Sequence, residues 1–249
     1  MPSLLKRFQF LGATVLSTCF VATTFAEAPV PVESVAPVPE IEIEVQSQLE
    51  TLQKALDDQD GYEDAREGQI RQSFGLLACL GQALAEHDGA SETKIQGPAL
   101  RDAALKFQRK SSLEEAKAAF EQVKLAANGE ATGDHSVDHP WNKLINMHPM
   151  MEEMNSRNSA LLKVIRRPRG KAEEPVHATT WAILALAMQA DTHEVKDDAM
   201  LPEWNKFSNE FREASLKLAE AIRNKDAKEA RKWFDSANQS CDSCHEVFQ

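Results

Sequence analysis

The sequence predicts an all-α protein built as two tandem four-helix up-down bundles, and three observations predict it. One Tyr and ten Gly among 249 residues, with long stretches of Ala, Leu, Glu and Lys, favour helix over sheet. Apolar and small residues recur at alternating spacings of three and four, as in Ala230, Phe234, Ala237, Cys241, Cys244 and Phe248, which makes one stripe along a helix. The two halves also resemble each other. A shift of 104 residues pairs Leu77 with Trp181, Leu80 with Leu184, Leu84 with Met188, Pro98 with Pro202 and Phe107 with Phe211; a shift of 114 then pairs Glu115 with Glu229 and Phe120 with Phe234. Self-similarity of this kind marks a duplicated unit.

Taken in order, residues 1–26 read as an export signal. Lys6 and Arg7 precede an apolar run from Phe8 to Phe25, and Thr24-Phe25-Ala26 offers the small residues that signal cleavage requires. A rival reading makes Leu16-Ser17-Thr18-Cys19 a lipoprotein signal, against which Thr18 is large for the position before a lipidated cysteine. Residues 27–41 hold four prolines and read as an extended Pro-rich linker. Residues 42–128 form the first bundle, and Asn128-Gly129 through Pro140 break the helical pattern, giving a second linker at 129–140. Residues 141–249 form the second bundle, with helices expected near 149–167, 173–192, 201–224 and 226–248. Short loops between them favour antiparallel neighbours.

Charge and cysteine usage narrow the function. The net charge is −11, and loss of residues 1–26, which hold two basic side chains and no acid, moves it to −13. So acidic a body is a poor partner for nucleic acid. The exported chain keeps Cys79, Cys241 and Cys244, an odd number in a compartment where cysteines normally pair. Cys79, inside Leu76-Leu77-Ala78-Cys79-Leu80, reads as a small buried hydrophobe.

Cys241-Asp242-Ser243-Cys244-His245 is the Cys-x-x-Cys-His pattern of c-type haem attachment. Two thiols three residues apart sit on one helical face, where they can bond the two vinyl groups of one porphyrin, and the adjacent His245 can set an imidazole nitrogen under the iron. Other uses of the motif lack support. A structural zinc needs four ligands and no second Cys pair is present. A thioredoxin-like pair belongs at a helix N-terminus, and a disulfide at this spacing distorts a helix.

Ala-Asn-Gln-Ser-Cys-Asp-Ser-Cys-His-Glu-Val-Phe-Gln closing a four-helix bundle resembles the cytochrome c prime family and its methionine-ligated, low-spin relatives. The likeness covers residues 141–249 as architecture, and its specific part is the last dozen. It implies that the C-terminal bundle binds haem c, that His245 is the proximal iron ligand and that Phe248 is the family's aromatic residue three positions on. The family usually has a basic residue next, where this chain has Gln249. In the first repeat Ala127, Glu130 and Ala131 stand where Cys241, Cys244 and His245 stand in the second, so one covalent haem per chain is expected.

The up-down order places the end of the fourth helix beside the start of the first, so the sixth iron ligand is expected from Met151, with Met154 second and Met150 on a flank. His148 reads as solvated. Trp181, Met188, Trp204 and Phe207 should wall the pocket, and Arg157 or Lys143 should pair a haem propionate. The expected function is electron transfer by a periplasmic or otherwise exported monohaem protein, not an enzyme, with redox proteins as partners. Two alternatives are a haem protein binding a small gas (NO or CO), and a docking or dimerising module, a homodimer, with a structural haem.

Overall fold

The protein's structure is a computed structural model that describes residues 27–248. The export signal at 1–26, the lipidation candidate Cys19 and Gln249 lie outside the described residues. Among these residues the chain is helical throughout, without strands, so the all-α expectation holds.

The first half comprises α1 (Val38–Asp57), α2 (Tyr62–Ala65), α3 (Arg71–Glu86), α4 (Gly97–Ala104) and α5 (Leu113–Ala127). A π-helical turn over Arg66–Ile70, kinked at Gly68, joins α2 to α3. Ser112 and Glu115 form a reciprocal capping box that starts α5. The second half comprises α6 (Met147–Ser156), α7 (Asn158–Ile165), α8 (Val176–Ala190), α9 (Leu201–Arg223) and α10 (Ala227–Phe248). In the first half α1 packs on α3 and α5, α3 on α4, and α4 on α5. In the second, α6 and α7 pack on α8, α8 on α9 and α9 on α10, which returns to α7. Three element boundaries match the sequence shifts, while others do not: α4 ends at Ala104 after eight residues and α9 runs on to Arg223. The ends of α3 and α8 lie 104 residues apart, as do the starts of α4 and α9, and the starts of α5 and α10 lie 114 apart.

The two halves share one continuous core, because α3 packs on α6 and α8 while α1 packs on α8. A row of polar residues on α1 faces this boundary. Glu44 accepts hydrogen bonds from Arg157 Nη1 and Nη2 (3.2 and 2.7 Å), and Glu153 binds the same guanidinium. One turn earlier, Glu40 accepts from Arg223 Nε at 2.7 Å and from Thr179. Trp141, fully buried, donates its indole N–H to Glu86 at 2.9 Å. Within the first half α3 and α4 touch backbone to backbone: a Cβ on Gly81 would lie 2.6 Å from Arg101 N, and one on Gly97 would lie 2.7 Å from Gly81 O.

Both expected linkers are structured. Val32–Ser34 form a 3-10 turn, and α1 starts at Val38 with Pro39 in its first turn, a place where the missing N–H costs nothing. Val32, Val35 and Ala36 are buried, so the apolar residues between the prolines hold this stretch on the core rather than leaving it a tether. The 129–140 stretch is pinned by Arg101, which donates to the carbonyls of Ser136 (2.8 Å) and Val137 (3.1 Å), and by Asp102, 2.7 Å from His135 Nδ1.

Candidate functional site

The C-terminal half of α10 presents Cys241, Cys244 and His245 to a cavity of about 250 Å³. The stripe that carries them is seated by Ala230, Phe234 and Ala237, all buried, and by Ser240, whose hydroxyl donates to the Phe207 carbonyl of α9 at 3.0 Å. Both cysteines are half-buried and unpaired, while His245 is exposed at the rim. Burial pushes the Cys241 thiol up to about 12, with Cys244 and Asp242 adding to it, and pushes Cys244 up to about 11. Both sulfurs are therefore protonated at neutral pH, far from the activated thiolate of a redox pair at a helix N-terminus. Cys79 is fully buried and its thiol is likewise pushed up by burial, in keeping with a packing role.

Across the cavity stand Met151 and Met154 of α6. Their position follows from a break in the helix. The Met154 carbonyl accepts the indole N–H of Trp181 at 2.8 Å, and α6 ends where Arg157 turns its side chain into the buried Glu44–Glu153 pair. The expected single helix 149–167 is thus two, because a tertiary donor takes part of the i to i−4 ladder. Met154 is buried and Met151 half-buried. Met150, expected on a flank, is fully buried, since α6 also packs on α3 and so hides a second face.

Trp181, Met188 and Phe207 wall the cavity as expected, joined by Phe211, whose ring centroid lies 5.5 Å from that of Trp181. Trp204 and Phe248 do not reach it. Trp204 donates to the Met188 carbonyl at 3.2 Å and packs edge-on to Phe248, 5.1 Å between centroids, so the pair clamps the end of α10 on α9. Neither cation proposed for a propionate is near the mouth: Arg157 is buried between its two glutamates, and the exposed Lys143 lines a different cleft beside α3 and α4. His148 is exposed, as expected. Asn158, on the inward stripe with Met151 and Met154, lines the cavity, and so do Ser240, Asp242 and two amides missed in the sequence, Asn155 and Asn238. Their signal was present in spacing, since Asn155 lies four after Met151 and Asn238 three before Cys241.

The donor set fits a c-type haem: two free thiols on one helical face, an adjacent imidazole, and thioether sulfurs on the opposite wall. Among the described residues no three His, Cys, Asp or Glu side chains converge as a site built from those ligands requires. Compared with family models, curated proteins and solved structures, the chain finds no match.

Proposed function

We propose that this protein is an exported monohaem c-type cytochrome that transfers electrons, resembling the cytochrome c prime family, with residues 141–249 as the haem-bearing bundle and 42–128 as a haem-free repeat of it. The single observation that carries the reading is the convergence of Cys241, Cys244, His245, Met151 and Met154 on one apolar-walled cavity. The matching helix boundaries at shifts of 104 and 114 support the repeat.

Bound there, haem c supplies a one-electron couple at its iron. The residues do the rest. Cys241 and Cys244 would tether the porphyrin through thioethers, and His245 and Met151, with Met154 next in line, would hold its iron. Trp181, Met188, Phe207 and Phe211 exclude water and so raise the reduction potential above that of an exposed haem. Asn155, Asn158 and Asn238 line the cavity in place of the cations expected from the sequence; Asn158 donates to Asn155, and Asn238 to the Phe234 carbonyl. The first repeat has no counterpart, because α5 ends at Ala127 and leaves Glu130 and Ala131 in a loop. An iron held by two side chains would be left only electron exchange, with redox proteins as partners.

The optical spectrum of the reduced protein, matured in a cytochrome-competent host, tests the role. A low-spin spectrum unmoved by carbon monoxide fits the carrier. A high-spin, gas-responsive spectrum assigns the apolar cavity to a small diatomic ligand instead. A haem that never exchanges electrons with an exported-protein extract leaves only a docking or dimerising module.

A further inference from the structure

The strongest departure from the acidic character of the chain lies at the end of the second half remote from the cavity. The turn after α7 and the turn between α9 and α10 meet there: the Lys225 side chain lies against Gly170, whose positive φ of 75° turns the chain. Segments 163–174 and 220–235 together hold ten Lys and Arg against six Asp and Glu, in a chain of net −11; the stretch entering α1, which shares a groove with them, adds the exposed Glu33 and the buried Glu40, the latter paired with Arg223. Five of the six acids are used locally. Glu174 is buried and accepts the backbone N–H groups of Arg169 and Gly170 at 2.7 and 2.8 Å, Asp226 caps α10 by accepting from Lys228 N and Glu229 N, and Glu173, Glu229 and Asp235 pair with Lys171, Lys232 and Arg231. Lys163, Arg166, Arg167, Arg169, Lys225 and Lys228 remain exposed, and none forms an ion pair among the described residues.

We propose that this basic end binds a membrane surface that carries anionic headgroups. Charge complementarity is the first argument: unpaired cations near an anionic bilayer each contribute to binding without needing a shaped partner. The cations are spread over two exposed turns. The exposed large aliphatic side chains among the described residues, Leu125, Val137 and Val247, all lie elsewhere. The second argument is orientation. Lys228 and Cys241, 13 residues apart on α10, are separated by about 20 Å along its axis. A membrane docked at the basic end leaves the cavity mouth facing away from it.

The experiment is co-sedimentation of the exported protein, from which residues 1–26 have been removed, with vesicles of phosphatidylcholine alone and of an equimolar mixture with phosphatidylglycerol, at low and high salt. Binding is expected only to the anionic vesicles and is expected to disappear at high salt. Joint replacement Arg166→Gln, Arg167→Gln and Arg169→Gln should weaken it about a hundredfold, at roughly fivefold per charge, while Lys110→Gln on the first half changes nothing. If the triple variant does not fold, Lys225→Gln with Lys228→Gln takes its place, with about a 25-fold loss expected. Equal binding to both vesicle types, no binding to either, or capture of an acidic protein in place of vesicles overturns the proposal. A colourless preparation refutes the haem assignment and leaves this measurement intact.

Discussion

Arg157 shows how one side chain ties the two halves together. Its guanidinium is buried between Glu44, 113 residues away, and Glu153, four residues away, and its Nη1 lies 3.0 Å from His177 Nδ1. Burial lowers its basicity, but the two carboxylates more than reverse this and hold it charged. Arg157→Ala strands two buried carboxylates and should cost about 3–5 kcal/mol in urea unfolding; a loss under 1 kcal/mol contradicts the network. The same cluster sets an acid response. Burial, then the Arg157 charge, lower the His177 pKa below its ordinary 6.5, so below that pH the unfolded chain takes up a proton the folded one refuses. Burial raises Glu44 but Arg157 and the Gln48 amide outweigh it, so its stabilising contribution is present above 4.5 and is lost as the pH falls further. Thermal stability should therefore decline as pH drops below 6.5 and again below 4.5, and His177→Gln, which keeps an acceptor for Arg157, should flatten the first decline; an unchanged profile contradicts it. The motif Cys241 to His245 was legible because its chemistry lies within five residues. The fate of Arg157 was not, because Glu44 is set opposite it only by tertiary packing.

At the level of elements, the second-half helices were readable to within a few residues, since their apolar stripes, Pro202 and the short α9–α10 turn are local signals. What was misread came from outside each element. Trp181 takes the Met154 carbonyl and splits the first of these helices, α3 hides a second face of α6 and buries Met150, and the valines between the prolines of 28–40 pack on the core. The crossing of α3 and α4 was equally invisible, since it depends on Gly81 meeting Gly97. Gly81→Ala should force these backbones apart and cost about 1–3 kcal/mol by chemical unfolding, whereas Gly68→Ala, with open space around it, should not carry that steric cost. The placement of α6 against α10 makes a sharper prediction. Met151→Ala should convert the reduced, low-spin spectrum into one that responds to carbon monoxide, and Met154→Ala should leave it low-spin. The reverse outcome moves the sixth ligand to Met154, and no change in either removes α6 from the iron.

Across the whole molecule, two helical halves share one core and a buried polar row on α1, and the cavity that carries the motif lies in the second half. The motif occurs once, on a helix of 22 residues, while α5, of 15, ends at Ala127, which the 114-residue shift sets opposite Cys241, and stops short of the positions opposite Cys244 and His245. The acidic body and the basic end opposite the cavity give the molecule a polarity that its net charge of −11 conceals. The most direct measurement is the intact mass and pyridine haemochrome of protein purified from a host that matures c-type cytochromes. One haem per polypeptide, lost when Cys241 and Cys244 are both replaced by Ser, is the expected result. A colourless chain with both sulfurs free or joined to each other, or a chain bearing two haems, would contradict the assignment.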